Sequence, residues 1–303
     1  MKVLQVAIGW YCFCALVIFL MLSPAKNLFA LDRFDKINSA PELTFQVLAQ
    51  KCREKFPDVA VNPSAAGGIA VVHANYANAA CIFGSLENVD LVILDRLKTD
   101  PSVNVLVLRS TGGPVSIWLR MAEVLWENTS VVFVDEACFS SCANYAFVLG
   151  KQRVVNKGGL VVWHGGPVDN GDNQIIFSNS VHSKAEMQHE EDEKYKELAL
   201  RTDELYRNID INPALLSITA RSEISPEAID AASRILGKEV SSLNFVGYAL
   251  PPAVLTRCFR LTGLDSMWHP GSERETVAAG LKRSKSLLIA SEPSSLRKGC
   301  PAG

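Results

Sequence analysis

Three uninterrupted apolar segments of strand length constrain the fold of this chain more than any other feature. They are VNVLVLRS from Val103, SVVFVDEA from Ser130 and GLVVWHGG from Gly159. None alternates between apolar and polar side chains, and such runs are typical of strands covered on both faces of a parallel sheet. The residues between them have apolar side chains at helical spacing, as in TGGPVSIWLRMAEVLWEN. The sequence therefore predicts an α/β domain with a largely parallel sheet.

The N-terminus carries a long apolar segment. Lys2 precedes an apolar run from Val3 to Leu22, followed by Ser23-Pro24-Ala25, small residues that suit cleavage by a signal peptidase. Residues 1–25 are therefore either a signal peptide or a membrane anchor. Both interpretations predict an extracytoplasmic protein, periplasmic or membrane-anchored, that associates with the membrane through its N-terminus if the segment is retained. Residues 26–65 form an N-terminal extension with an amphipathic helical pattern over Pro41 to Lys55.

Composition and motif spacing exclude several classes of function. A net charge of −2 and an isoelectric point near 6.2 give no electrostatic reason to expect a nucleic-acid partner. The five histidines form no HExxH pattern, and the one CxxxC pair has no second pair at zinc-ligand spacing. The sequence thus predicts neither a metal nor another cofactor.

Two short segments have the residue types of a catalytic site. Gly112 and Gly113 follow a buried strand and precede a helix, where backbone N–H groups could face an anion or simply form a tight turn. Ser141 occupies the same position after the next strand, where its hydroxyl could be a nucleophile or a helix cap. Neither segment decides between these alternatives by itself.

Taken together, these segments resemble a known family. CIFGSLENVDLVILDRLKTDPSVNVLVLRSTGGPV, SSCANYAFVLG and VVWHGG are similar to the proteolytic subunit of the Clp protease, within the wider Clp/crotonase fold. The resemblance is clear over residues 68–166 and looser to about Leu250. From Gly113 to Ser141 is 28 positions, from Ser141 to Gly150 is nine, and from Ser141 to His164 is 23, in the family's order and close to its spacing.

The resemblance implies a fold and a mechanism. It implies repeated ββα units over residues 66–265, a helical C-terminal region, a peptide or protein substrate and a homo-oligomer. Ser141 would attack a carbonyl carbon, His164 would accept its proton, and the N–H groups of Gly113 and Cys142 would bind the oxyanion. The function predicted on this basis is that of a serine peptidase-like hydrolase.

The cysteines around the serines set this chain apart from typical Clp subunits. Six cysteines follow the N-terminal apolar segment, an even number in an oxidising compartment. Cys138 and Cys142 flank the serines in a C-x-S-x-C segment, as in a set of exported bacterial proteins. We expect these two to form a disulfide that clamps the turn carrying Ser141. Cys52 with Cys81 is a second pairing, supported only by their order along the chain.

The orienting acid of the triad is not identified by the resemblance. The segment VSSLNFVGYAL is similar to the family's segment near its catalytic aspartate, but Gly237 occupies the aspartate's position. Glu239 is the candidate acid, with Asp203 and Asp210 as alternatives. The long charged helix predicted from Val181 to Ile209 also carries Lys184 and Lys194, which leave a Ser–Lys dyad open.

Two other functions remain open from the sequence alone. Without its acid, the chain could be a non-catalytic binding or scaffold protein that keeps the fold. It could also be a crotonase-type acyl-CoA enzyme, although the export segment argues against thioester chemistry in the cytoplasm. The last part of the chain, residues 270–303, is rich in Ser, Lys and Arg, and its composition predicts a disordered tail.

Overall fold

The structure is a computed structural model. It describes residues 41–74, 77–87, 91–169, 174–177, 180–183, 190–221, 223–283 and 287–301. Residues 45–303 form one compact unit, and residues 1–44 fall outside it. The signal peptide or anchor predicted over residues 1–25 lies outside the described residues. Within the described ranges, no helix is both long and apolar enough to cross a membrane.

The described chain alternates strands and helices, as the apolar segments predict. The strands are β1 Gly68–Ala74, β2 Ala77–Phe83, β3 Val103–Ser110, β4 Val131–Phe139, β5 Gln152–Val155, β6 Leu160–Val162, β7 Val168–Asp169, β8 Gln174–Phe177, β9 Ser180–Ser183, β10 Phe245–Tyr248, β11 Ser266–Met267 and β12 Leu288–Ala290. The helices are α1 Pro41–Lys55, α2 Pro57–Val61, α3 Leu91–Thr99, α4 Val115–Leu125, α5 Glu190–Asn208, α6 Ala214–Arg221, α7 Pro226–Leu236, α8 Pro252–Phe259, α9 Glu273–Arg283 and α10 Ser294–Lys298.

Three shorter helical segments complete the list of elements. A π-helical turn, Cys142–Ala146, runs directly into a 3₁₀ turn, Phe147–Leu149, and we call these two turns together the elbow helix. A second 3₁₀ turn spans Ser242–Asn244, just before β10.

A seven-stranded sheet forms the centre of the fold. Its order is β1-β2-β3-β4-β5-β11, and β6 also pairs with β4. Only β1 and β2 are antiparallel; the other pairs are parallel. The predicted α/β class with a largely parallel sheet is therefore confirmed.

Strand β4 is long enough to pair with two strands along the same edge. Its first half, Val131 to Val134, pairs with β5, and its last residues, Ala137 to Phe139, pair with β6. Strand β3 pairs with its opposite edge. This arrangement brings the C-terminal ends of β3, β4 and β6 side by side.

Apolar side chains cover both faces of the central strands. The larger core cluster packs the sheet against the elbow helix and α4, with fully buried Trp118, Tyr145 and Trp163. A smaller cluster on the other side joins Ala137 and Phe139 of β4 to Ile289 of β12. Burial on both faces explains why these strands have no polar alternation.

Part of the predicted N-terminal extension belongs to the folded unit. Helix α1 has the predicted bounds, and its Phe45 ring stacks on Phe133 of β4 with ring centres 5.5 Å apart. Cys52 forms a disulfide with Cys81 of β2, the second pairing expected from the sequence. The Arg53 guanidinium lies 2.6 Å from the buried carboxylate of Asp135. These contacts fix the helix to the sheet.

The long charged helix is shorter than the sequence pattern indicated. The pattern predicted a helix from Val181 to Ile209, but residues 181–183 belong to strand β9 and α5 spans Glu190–Asn208. Strand β9 pairs with β8, and this pairing overrides the local helical spacing. Lys184 lies outside the described residues.

The C-terminal residues are ordered, and the prediction of a disordered tail over residues 270–303 is wrong for the described part. Strand β12 pairs with β10, and α9 buries Val277. Cys300 forms a disulfide with Cys258 of α8. The polar composition concealed this order because the few apolar residues are far apart in sequence and are buried by partners elsewhere in the chain.

Candidate active site

The ends of three neighbouring strands bring the predicted site residues together. Ser110 at the end of β3 is paired with Cys138 of β4. Phe139 at the end of β4 is paired with Val162 of β6. The glycine turn, the two serines and His164 follow these strand ends directly. This edge is the one at which open α/β sheets usually bind ligands.

The glycine turn packs directly against the serines. Gly112 and Gly113 have positive φ angles of 100° and 149°. A Cβ atom on Gly112 would lie 2.9 Å from the Cβ atom of Ser140 and 3.1 Å from the backbone nitrogen of Ser141, so a side chain there would displace the serine turn. The glycine at 112 is therefore required both for its backbone conformation and for this close approach.

Ser140 occupies a strained backbone conformation between strand and helix. Its φ of 57° lies in the left-handed region, which a residue with a side chain rarely adopts. Its N–H donates to the carbonyl of Val162 at 2.9 Å, and its own carbonyl accepts the N–H of Asn144 at 3.0 Å. Strained residues held by such contacts are concentrated at active sites, and a similarly strained strand-to-helix turn carries the nucleophilic serine of α/β-hydrolases.

His164 contacts Ser140. Its Nε2 atom lies 2.6 Å from the Oγ atom of Ser140, a short hydrogen bond across 24 positions of sequence. Burial lowers the pKa of the imidazole below its usual 6.5, so the ring is neutral near neutral pH. In the tautomer with an unprotonated Nε2, the ring accepts the hydroxyl proton of Ser140.

Ser141 contacts the glycine turn instead. Its hydroxyl donates to the carbonyl of Gly113 at 2.9 Å, and only 2% of the residue is exposed. The spacing of the resemblance predicted the contact with His164 at Ser141, whereas in the structure Ser140 makes this contact. The difference is one residue.

The π-helical turn explains the one-residue difference. A π turn accommodates one residue more than an α turn, and such insertions are frequent at functional sites. Ser140 is ten positions from Gly150, and the nine-position spacing of the family selects Ser141. The π turn Cys142–Ala146 contains one extra residue, which accounts for ten positions instead of nine between the serine and Gly150. One signal in the sequence could have pointed to Ser140, which is the central serine of the C-x-S-x-C segment.

Two backbone N–H groups at this turn are candidate oxyanion donors. Among the residues that the structure describes, the N–H groups of Gly113 and Ser141 donate to no acceptor. Ser141 begins the helical region, where first-turn N–H groups lack intrahelical partners. If Ser140 is the nucleophile, the N–H of the following residue belongs to Ser141, whereas the sequence analysis assigned this donor role to Cys142.

A disulfide closes the turn that carries the serines. Cys138 and Cys142 are bonded, with their Cα atoms 5.1 Å apart, and both residues are fully buried. The bond joins the last residues of β4 to the first residue of the elbow helix. It therefore encloses Ser140 and Ser141 in a small ring, as the sequence analysis expected.

The three candidate acids lie in different surroundings. Asp210 is exposed and forms an ion pair with Arg260 at 3.1 Å. Glu239 is exposed in the segment after Gly237, which ends α7 in a left-handed conformation. Asp203 lies on α5 near Tyr145, whose pKa is raised chiefly by burial and further by the negative charge of Asp203. No contact described here brings Asp210 or Glu239 to His164, so the acid remains a prediction, as does the dyad with Lys194 of α5.

Comparison with known proteins adds no relative. A scan against protein-family models gives no match, and a search of curated proteins finds no similar sequence. Inference about function therefore depends on the geometry of the site.

Proposed function

We propose that this chain is a serine hydrolase with a Clp/crotonase-like fold, in which Ser140 is the nucleophile and His164 the general base. The observation that carries the proposal is the 2.6 Å contact between His164 Nε2 and the hydroxyl of Ser140. The left-handed conformation of Ser140 and its position at the C-terminal edge of the sheet support it. This contact favours the hydrolase over the crotonase-type and scaffold alternatives, neither of which requires a Ser–His pair.

The chemistry follows from the positions of these groups. The Oγ atom of Ser140 attacks a carbonyl carbon while Nε2 of His164 accepts the hydroxyl proton. The N–H groups of Gly113 and Ser141 stabilise the negative oxygen of the tetrahedral intermediate. His164 then protonates the leaving group, and an acyl-enzyme forms on Ser140. Water, deprotonated by the same ring, releases the acid and restores the hydroxyl.

The substrate class and compartment form part of the same proposal. We propose a peptide-like substrate and an extracytoplasmic location, periplasmic or at the membrane through the N-terminal segment. Three disulfides in the described chain support an oxidising compartment. The buried disulfide between Cys138 and Cys142 supports a rigid site that is formed within one chain.

A fluorophosphonate probe tests the proposed function. Attack by Ser140 would form an oxygen–phosphorus bond and expel fluoride, and the hydroxyl proton would pass to His164. We expect the wild-type chain to be labelled and His164→Gln to be labelled about 10²- to 10⁴-fold more slowly. The matched control is His73→Gln, which removes an exposed histidine on β1 whose ring hydrogen-bonds with Asn78. Equal labelling of all three proteins would contradict the proposal.

The pH dependence of labelling gives a second test. Only neutral His164 can accept the proton, and its pKa is lowered by burial. The rate should therefore rise with pH through a midpoint below 6.5 and reach a plateau above it. The measurement is the pseudo-first-order labelling rate between pH 4.5 and about 8.5. A labelling rate that does not change with pH over this range would contradict the assignment of His164 as the base.

A further inference from the structure

One buried amide lies directly behind the Ser140–His164 pair. Asn144 belongs to the elbow helix, one turn after Ser140, and only 1% of it is exposed. Its backbone N–H donates to the carbonyl of Ser140 at 3.0 Å. Its backbone therefore moves together with the turn that carries the nucleophile.

The side chain of Asn144 reaches the segment that carries His164. Its Nδ2 atom donates to the carbonyl of Gly165 at 2.8 Å, across 21 positions of sequence. Gly165 directly follows His164 and is itself buried. The hydrogen bond thus links the helix of the nucleophile to the residue next to the base.

The fit around this amide is tight. A Cβ atom on Gly166 would lie 3.0 Å from Nδ2 of Asn144, and one on Gly165 would lie 2.4 Å from the Cβ atom of Ala220. The hydroxyl of buried Tyr206 donates to the backbone carbonyl of Asn144 at 2.9 Å. Gly166 therefore lets the His164 segment pass close to the amide, and Gly165 lets it pass close to α6. Helix α5 supports the elbow helix through Tyr206.

The Oδ1 atom of the same amide makes no hydrogen bond with any residue that the structure describes. A buried acceptor without a partner opposes folding, so the amide is not the best choice for stability alone. An apolar side chain of similar size would remove this unsatisfied atom. The benefit of asparagine at this position is the bond from Nδ2 to Gly165.

We infer that Asn144 is a positioning residue that holds His164 in register with Ser140 by binding the carbonyl of Gly165. The inference rests on the proposed function, since it names what fixes the geometry of that site. Asn144 does not contact the reacting atoms. It acts through the backbone on either side of the pair.

The test replaces Asn144 with leucine, which has a similar size and no donor. The matched control is Tyr145→Phe, which removes the contact of the neighbouring buried side chain with Thr202 at 3.1 Å and leaves the His164 segment untouched. The first readout is the pKa of the His164 ring by NMR titration, which needs no activity. The second is the rate of fluorophosphonate labelling.

We expect Asn144→Leu to raise the pKa of His164 toward 6.5, because a loosened ring is hydrated more fully and burial is what lowers this pKa. Labelling should slow by about tenfold or more, since small displacements of reacting groups are costly. Tyr145→Phe should change neither quantity. A folded Asn144→Leu protein with the titration and labelling rate of the control would overturn the inference.

Two further outcomes are decisive as well. If Asn144→Leu does not fold, Asn144→Ala, whose side chain cannot reach Gly165, is measured by the same readouts against the same criteria. If the wild-type chain is not labelled at all, the proposed function fails, and the titration still tests the positioning of His164. An unchanged His164 pKa in the variant would then overturn the inference independently.

Discussion

Replacing Ser140 with alanine should abolish hydrolysis, lowering the rate by about 10³-fold or more, while the fold is retained. The reason is that the hydroxyl of Ser140 is the one in contact with His164. Without it no acyl-enzyme can form. The measurement is the turnover of a chromogenic ester or a peptide panel, with near-UV circular dichroism to establish that the variant is folded.

Ser141→Ala is the matched control, because it removes a hydroxyl from the adjacent residue. This hydroxyl donates to the carbonyl of Gly113. A neutral hydrogen bond contributes about 1 kcal/mol, so the rate should fall by no more than about tenfold. If Ser141→Ala is the inactive variant and Ser140→Ala retains activity, the role of nucleophile belongs to Ser141.

Removing the C-terminal disulfide by the double change Cys258→Ala and Cys300→Ala should destabilise the chain by about 4 kcal/mol. This bond joins residues 42 positions apart, so it restricts the unfolded chain more than either of the other two disulfides. It also anchors the segment in which Ile289 packs near Phe139, the residue before Ser140. The measurement is the free energy of unfolding in urea under non-reducing conditions.

The control for this prediction is the double change Cys138→Ala and Cys142→Ala. Its disulfide closes only four positions, and the same entropic relation gives a loss of about 2 kcal/mol. The C-terminal pair should therefore cost more stability than the pair around the serines. The reverse order would show that residues 270–300 contribute little to the folded unit.

The sequence was sufficient to predict the framework of the site. Uninterrupted apolar runs indicated strands buried on both faces. The resemblance to the Clp family implied that Gly113, Ser141 and His164 belong to one site, and the structure pairs the strands that precede them, β3, β4 and β6. The disulfide between Cys138 and Cys142 followed from spacing and compartment. These features depend on burial and short separations, which the sequence records directly.

The features that the sequence did not predict depend on backbone geometry and distant pairing. Ser140 rather than Ser141 meets His164 because a π turn shifts the register by one residue, and no composition signal reports such a turn. The C-terminal residues are ordered by pairing with β10 and by Cys258, both well before them in sequence. The role of Asn144 depends on its bond to Gly165, which only the folded chain reveals.

The most direct test of the account is to locate the fluorophosphonate adduct by tandem mass spectrometry. Digestion of the labelled chain gives a peptide that contains both Ser140 and Ser141, and fragmentation between them assigns the added mass to one residue. We expect the adduct on Ser140, the proposed nucleophile. An adduct on Ser141, or a chain that takes up no label at pH 7 to 8 while remaining folded, would contradict it.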